Sequence, residues 1–206
     1  MKLKVWELAG ILTLFLVFTY FAAAGQTQAQ VADKLVRLHV IANSDTAADQ
    51  ALKLQVRDAV LEVTQDIGAD CADTQETQEA LQAHLQEIQE AACQVIRREG
   101  YDYSVTAQLK REYYPSKVYK NFALPAGDYT GLKVKIGAAQ GHNWWCVVFP
   151  PLCTSAATRE TFVGFTEEEA AFVQQDGTRY ALRFKAAELV DQLRHTLGEE
   201  DEKGKK

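Results

Sequence analysis

The chain has 206 residues, 47% of them hydrophobic and 24% charged, with a net charge of −6. That length suits one well-buried domain, and an acidic balance without a basic face argues against a nucleic-acid binder. No glycine-rich phosphate loop, G-x-S-x-G or H-E-x-x-H occurs, so those signatures of nucleotide binding, serine hydrolysis and zinc proteolysis are missing.

The N-terminus is basic (Met1-Lys2-Leu3-Lys4) and is followed by the uncharged apolar run LAGILTLFLVFTYFAAA over residues 8–24. Ala22-Ala23-Ala24 satisfies the A-x-A pattern of a signal peptide, while the run is close to the roughly 20 residues that span a bilayer. Residues 1–25 are therefore expected to be a signal peptide or an N-terminal membrane anchor. The lysines leave the N-terminus in the cytoplasm either way. Residues 26–33 read as a polar linker, residues 34–198 as a single exported domain, and residues 199–206 as a disordered charged tail.

The exported part opens on a strand. Val36, Leu38 and Val40 alternate with Arg37, His39 and Ile41, the period-2 pattern. Asn43-Ser44-Asp45-Thr46 then offers four side chains that can accept from the free N–H groups of a helix start, with Thr46 and Asp49 as a weaker capping box. Leu52, Val56, Ala59, Val60, Val63 and Ile67 recur at steps of three and four, one apolar stripe of a helix ending near Gly68. Residues 70–77 read as a turn. Leu81, Leu85, Ile88, Ala92, Val95 and Ile96 mark a second amphipathic helix, with Gly100 placed as its C-terminal cap.

From Tyr101 the period changes to 2. Strands are expected over residues 103–109, around 119–124, over 129–136 and over 144–149, with turns at Pro125-Ala126-Gly127-Asp128 and over 137–143. Pro150-Pro151 ends the last strand, because proline cannot donate to a ladder. Thr166-Glu167-Glu168-Glu169 is a capping box that opens a short helix; a strand over 180–185 and a helix over 186–197 complete the chain. The expected fold is α+β: an antiparallel-rich sheet of about five strands, two amphipathic helices on one face, and a C-terminal helix.

Two clusters are candidates for function. Arg37 and His39 share a strand face that leads into Asn43, Ser44 and Asp45. They either form a polar site or bridge strand to loop. The second cluster is His142-Asn143-Trp144-Trp145. Adjacent tryptophans on a strand point to opposite faces, so one fills the core and the other is covered or left as an anchor for a partner. If the first strand pairs near the last, the two clusters form one partner-binding patch. The four cysteines admit several roles. A Cys–His hydrolase would use Cys146 or Cys153 with His39 or His142, without any family signature to support it. Zinc ligation lacks the usual C-x2–4-C spacing. In an exported chain a Cys146–Cys153 disulfide is the better expectation, with Cys71 and Cys93 as a second candidate pair; the spacing permits both and compels neither. No catalytic residue, metal or cofactor is expected from these patterns.

The runs Arg37-Leu38-His39-Val40-Ile41-Ala42-Asn43-Ser44-Asp45, Asp49-Gln50 with Leu52-Lys53-Leu54, Val56-Arg57-Asp58-Ala59-Val60, Gly100-Tyr101-Asp102-Tyr103, Leu124-Pro125-Ala126-Gly127-Asp128-Tyr129 and Asn143-Trp144-Trp145-Cys146-Val147-Val148-Phe149-Pro150-Pro151-Leu152-Cys153 resemble the stage II sporulation protein R family of endospore-forming bacteria. The resemblance covers residues 33–153. It implies a signalling protein made in the forespore and exported between the two septal membranes. There it would trigger a membrane-embedded aspartic peptidase of the mother-cell membrane, which processes the precursor of the sporulation factor sigma-E. It implies an activator and not an enzyme. The rival expectations are an extracytoplasmic Cys/His hydrolase and a cell-wall-binding module.

Overall fold

Residues 4–119, 122–152 and 164–173 are described by a computed structural model. Helix α1 (Val5–Asp33) takes in the apolar run and continues beyond it. Residues 26–33 are thus helical, a correction to the expected linker: the Ala/Gln-rich stretch has good helix formers and no glycine or proline to stop it. The chain falls into two compact units. One holds the described residues of Met1–Val31, Tyr114–Gly127 and Thr166–Lys206, the other Ala32–Tyr113 and Asp128–Phe165. The span expected as one domain, 34–198, has described residues in both units, and its end lies outside them.

In the second unit the organising strand is β1 (Val36–Ile41), buried at every position. It leads through the polar loop into α2 (Ala47–Gly68), whose N-cap is Thr46. Then come α3 (Thr74–Ala83) and α4 (Leu85–Arg98), where the periodicity suggested one helix after a turn. Asp73 starts α3 early, its side chain accepting from the Glu76 N–H at 2.9 Å while the Glu76 carboxylate accepts from Ala72 N at 2.8 Å. At His84 the backbone N–H and the ring Nδ1 both converge on the Ala80 carbonyl, at 3.1 and 2.8 Å, and the helix is interrupted there. Helix α4 ends as read: Gly100 sits at φ +81, with Tyr101 N bonded to Ile96 O and Gly100 N to Arg97 O. This pairing satisfies the last carbonyls of a helix that closes in a left-handed residue.

Strands β2 (Val105–Tyr114), β5 (Gly127–Ile136) and β6 (Asn143–Phe149) join β1 in a mixed four-stranded sheet of order β2-β5-β1-β6. β1 runs parallel to β5 and antiparallel to β6. Val36, Leu38 and Val40 pack with Leu132, Val134, Cys146 and Val148 on one face, where Leu52, Val56 and Val60 of α2 and Ile88, Ala92, Val95 and Ile96 of α4 cover them. Burying each such aliphatic side chain contributes roughly 1.5–3 kcal/mol, so this layer is the main source of stability for the unit.

In the first unit β3 (Lys117–Val118) and β4 (Ala123–Leu124) form a separate two-stranded sheet, and Tyr119 stacks on Phe122 with centroids 4.4 Å apart. Helix α5 (Glu167–Val173) has the expected capping box: Thr166 N donates to Glu169 Oε2 at 2.7 Å, and Glu169 N to Thr166 Oγ1 at 3.3 Å. The expected strand over 180–185, helix over 186–197 and tail over 199–206 lie outside the described residues.

Candidate partner-binding site

The register of β1 against β6 sets Ile41 beside Asn143 and His39 beside Trp145. The loop after β1 and the turn before β6 therefore leave the sheet side by side, and their own polar groups join them. Gln140 N donates to Asn43 O at 3.1 Å and Gly141 N to Ala42 O at 3.0 Å. Asn43 Oδ1 accepts from Ala138 N at 2.9 Å, and its Nδ2 donates to Asp49 Oδ2 at 2.9 Å. Ser44 Oγ donates to the same carboxylate oxygen at 2.5 Å. These bonds, Ser44 first and then Asn43, hold the buried Asp49 carboxyl below the usual carboxylate range. Burial, then a hydrogen bond to Asp49, pushes the Tyr103 hydroxyl up.

Two glycines make the approach possible. A Cβ on Gly137, at φ +54, would lie 2.3 Å from Asn43 Oδ1, and one on Gly141 would lie 2.2 Å from the Ser44 carbonyl oxygen. Lys53 of α2 is buried beneath this junction. Its Nζ donates to His142 O at 2.9 Å and Gln50 Oε1 at 2.6 Å, and burial lowers its pKa.

Above the junction the surface is open. Asp45 Oδ1 accepts from His142 N at 2.6 Å and lies 2.5 Å from the ring Nδ1, with the two side chains 54% and 79% exposed. The His142 N–H first, and then its ring, lower the Asp45 pKa. Trp144 is 36% exposed, and the Arg57 guanidinium of α2 lies 4.5 Å from its ring centre.

The opposite sheet face carries a polar row with one residue from each strand, and only the strand order reveals it. Glu112 of β2 lies 2.8 Å from Lys133 Nζ of β5 and 3.2 Å from His39 Nδ1 of β1, and His39 stacks on Trp145 of β6 at 3.7 Å between centroids. Burial alone would raise the Glu112 pKa, but hydrogen bonds with Lys133, His39 and Lys110 outweigh it and hold the carboxyl at about 2. For His39 burial dominates and lowers the pKa, against the hydrogen bonds with Asn143 and Glu112. Arg37 is wholly buried, its guanidinium 4.8 Å from the Tyr129 ring centre.

The expected patch is thus divided. Asn43, Ser44, Asp45, His142, Asn143 and Trp144 gather at one end of the sheet. Arg37 and His39 are buried on its other face, which corrects their expected place on a contact surface: Trp145 stacks on His39, Glu112 bonds to it, and the Tyr129 ring lies against the Arg37 guanidinium. Cys146 is disulfide-bonded. Its expected partner Cys153 lies outside the described residues, while Cys71 and Cys93 are free thiols and so not the second pair. Among the described residues no group of three His, Cys, Asp or Glu side chains is placed to hold a metal. Sequence reasoning missed Glu112 and Lys133. It placed Gly137 and Gly141 in the turn, but not the close approach to Asn43 and Ser44 that they permit.

A family model for stage II sporulation protein R matches residues 32–159. The chain belongs to the stage II sporulation protein R family. It is 34% identical over 146 residues to stage II sporulation protein R of Bacillus subtilis (strain 168), a match over 71% of this chain and 62% of the relative. The chain thus spans less than two thirds of that relative's length. No solved structure matches it. The family match takes in the loop, the turn, the buried row and Trp144, so the whole candidate site lies within the part that defines a stage II sporulation protein R.

Proposed function

We propose that this chain is an exported sporulation signal and not an enzyme. Its Asp45–His142–Trp144 surface docks on the membrane-embedded aspartic peptidase that processes the sigma-E precursor. Family membership supports the sporulation role, and the apolar N-terminal helix is compatible with export. The observation that carries the docking surface is the placement of Trp144. A large aromatic stands at the open end of the sheet with Arg57 against its ring, on backbone fixed by the loop–turn junction. Preorganised aromatic and arginine side chains are the commonest anchors of protein interfaces, since little freedom is lost when they are covered. A hydrolase built on Cys146 is disfavoured because that sulfur is in a disulfide and its neighbour in register is Leu38, on the opposite face from His39.

The test is co-expression of the exported protein with the peptidase and the precursor. Trp144→Ala and His142→Ala are expected to reduce precursor processing about tenfold or more, the size of an interface anchor, with thermal melts like the parent's. Full processing by both folded variants would remove this surface from the proposal.

A further inference from the structure

We propose that the outer edge of β2 takes up an extended segment of a partner protein, one that alternates apolar and acidic side chains, as a further strand of the sheet. β2 is 10 residues long and stands at one end of the strand order with β5 beside it; among the described residues no strand lies on its other side. β6, which carries Trp144, is at the opposite end of that order. The inference therefore does not rest on the Asp45–His142–Trp144 surface.

Two hydrogen bonds show which way the β2 backbone faces. Ser104 O accepts from Gly137 N, next to the end of β5, at 2.8 Å, so from there on alternate residues turn their N–H and C=O groups toward β5. Ala107 N reaches instead the Gln89 side-chain oxygen of α4, at 3.5 Å. The backbone groups of Val105, Ala107 and Leu109 thus face away from the sheet, and such a row is a template for pairing with another chain. Gln89 Oε1 stands where the carbonyl of an added strand would, at a distance longer than a peptide carbonyl would take.

The two faces beside this edge differ in chemistry. Toward the helices, Ala107 and Leu109 are only partly buried, as are Leu85 and Cys93 of α4. Leu85, Gln89 and Cys93 recur at steps of four on one side of α4, and the Gln89 bond lays that side along the edge. Away from the helices, Thr106, Gln108 and Lys110 are exposed. On that face β5 carries Lys133 and Lys135, in register with His39 and Ile41. Lys110 and Lys133 share one carboxylate, Glu112, at 3.1 and 2.8 Å, which leaves a surplus of positive charge. Side chains of a strand alternate between faces, so an added strand sets every second one on the apolar stripe and the others toward the lysines. Main-chain bonds would supply affinity and this alternation specificity, with carboxylates attracted to the lysines of neighbouring strands. A second copy of β2 fits less well, since it brings another Lys110 to the same face.

The experiment uses the full, isotope-labelled chain in detergent micelles. The probe is an acetylated peptide of four Val-Glu repeats, beside a Val-Lys peptide of the same length, and NMR reads amide hydrogen exchange along β2 and the affinity. The Val-Glu peptide is expected to slow exchange at Val105, Ala107 and Leu109 about tenfold and to leave Thr106 and Gln108 unchanged, while the Val-Lys peptide slows none. Gln89→Ala, which clears the outward amide, is expected to bind the Val-Glu peptide more tightly, and Lys110→Glu about tenfold more weakly. Unchanged exchange at the three outward amides with the Val-Glu peptide would overturn the proposal. Equal slowing by both peptides would overturn the acidic partner. Slowing that grows with protein concentration in the absence of peptide would make a second copy the occupant and overturn it as well.

Discussion

At the residue scale, the buried polar row makes the protein sensitive to acid in two steps. Glu112 has its pKa lowered from 4.5 to about 2, so its contribution to stability is present above pH 4.5 and is lost as pH falls through 4.5 toward 2. Discounted for solvent screening, that contribution is on the order of 1–2 kcal/mol. His39 also has a lowered pKa, from 6.5, because burial favours the neutral ring. Its contribution is intact above pH 6.5 and declines below it, as the unfolded chain takes up a proton that the folded one resists. Thermal melts across pH 7.5–5.5 should therefore fall, and His39→Gln should flatten that fall without flattening the one below pH 4.5. Equal slopes in parent and variant between pH 7.5 and 5.5 would mean that His39 is not the titrating group.

At the element scale, the loop–turn junction combines stability with presentation. Thr46 is the α2 cap, its hydroxyl accepting from Asp49 N at 3.2 Å, so Thr46→Ala should cost about 1 kcal/mol in a denaturant titration. Asp45, expected among the capping residues, bonds across to His142 instead. Gly141→Ala is a sharper test because the added methyl meets the Ser44 backbone, which can yield only by moving the loop. It should cost more than the cap, roughly 1–3 kcal/mol, and should disturb the Asp45–His142 pair, seen as a changed His142 ring signal in NMR. A Gly141→Ala protein with parental stability and an unchanged ring signal would show that loop and turn are not in such close contact.

At the scale of the whole molecule, the first unit depends on α1. Its own sheet is the pair β3 and β4, two residues each, and an isolated pair of short strands is marginal in water. A chain shortened to begin at Lys34 loses Val31 and the Gln28–Ala126 bond. It should be cut by trypsin after Lys117 well before the second unit is attacked, while the full chain resists at that site. Equal protection in both proteins would show that α1 contributes nothing to this unit.

Much of this was legible in the residues themselves, because local rules act over a few positions. Alternation in β1, the apolar stripe of α2, the turn at Gly137 and the capping box at Thr166 each state a local preference that the fold keeps. The helix break at His84 was not legible, since the apolar spacing runs through it. Nor was the helical state of residues 26–33, where a polar composition suits a linker as well as a helix. The candidate site was half legible: the residues of the loop and turn stood out, but which of them face solvent did not. By itself the sequence determined the apolar N-terminal segment, the α+β class and the family, all of which rest on patterns along the chain. Tertiary structure alone decided that Arg37 and His39 are buried while Asp45, His142 and Trp144 are open. It also aligned Glu112, Lys133, His39 and Trp145 in one row, because strand order and register join residues that the chain keeps as much as 106 positions apart, from His39 to Trp145.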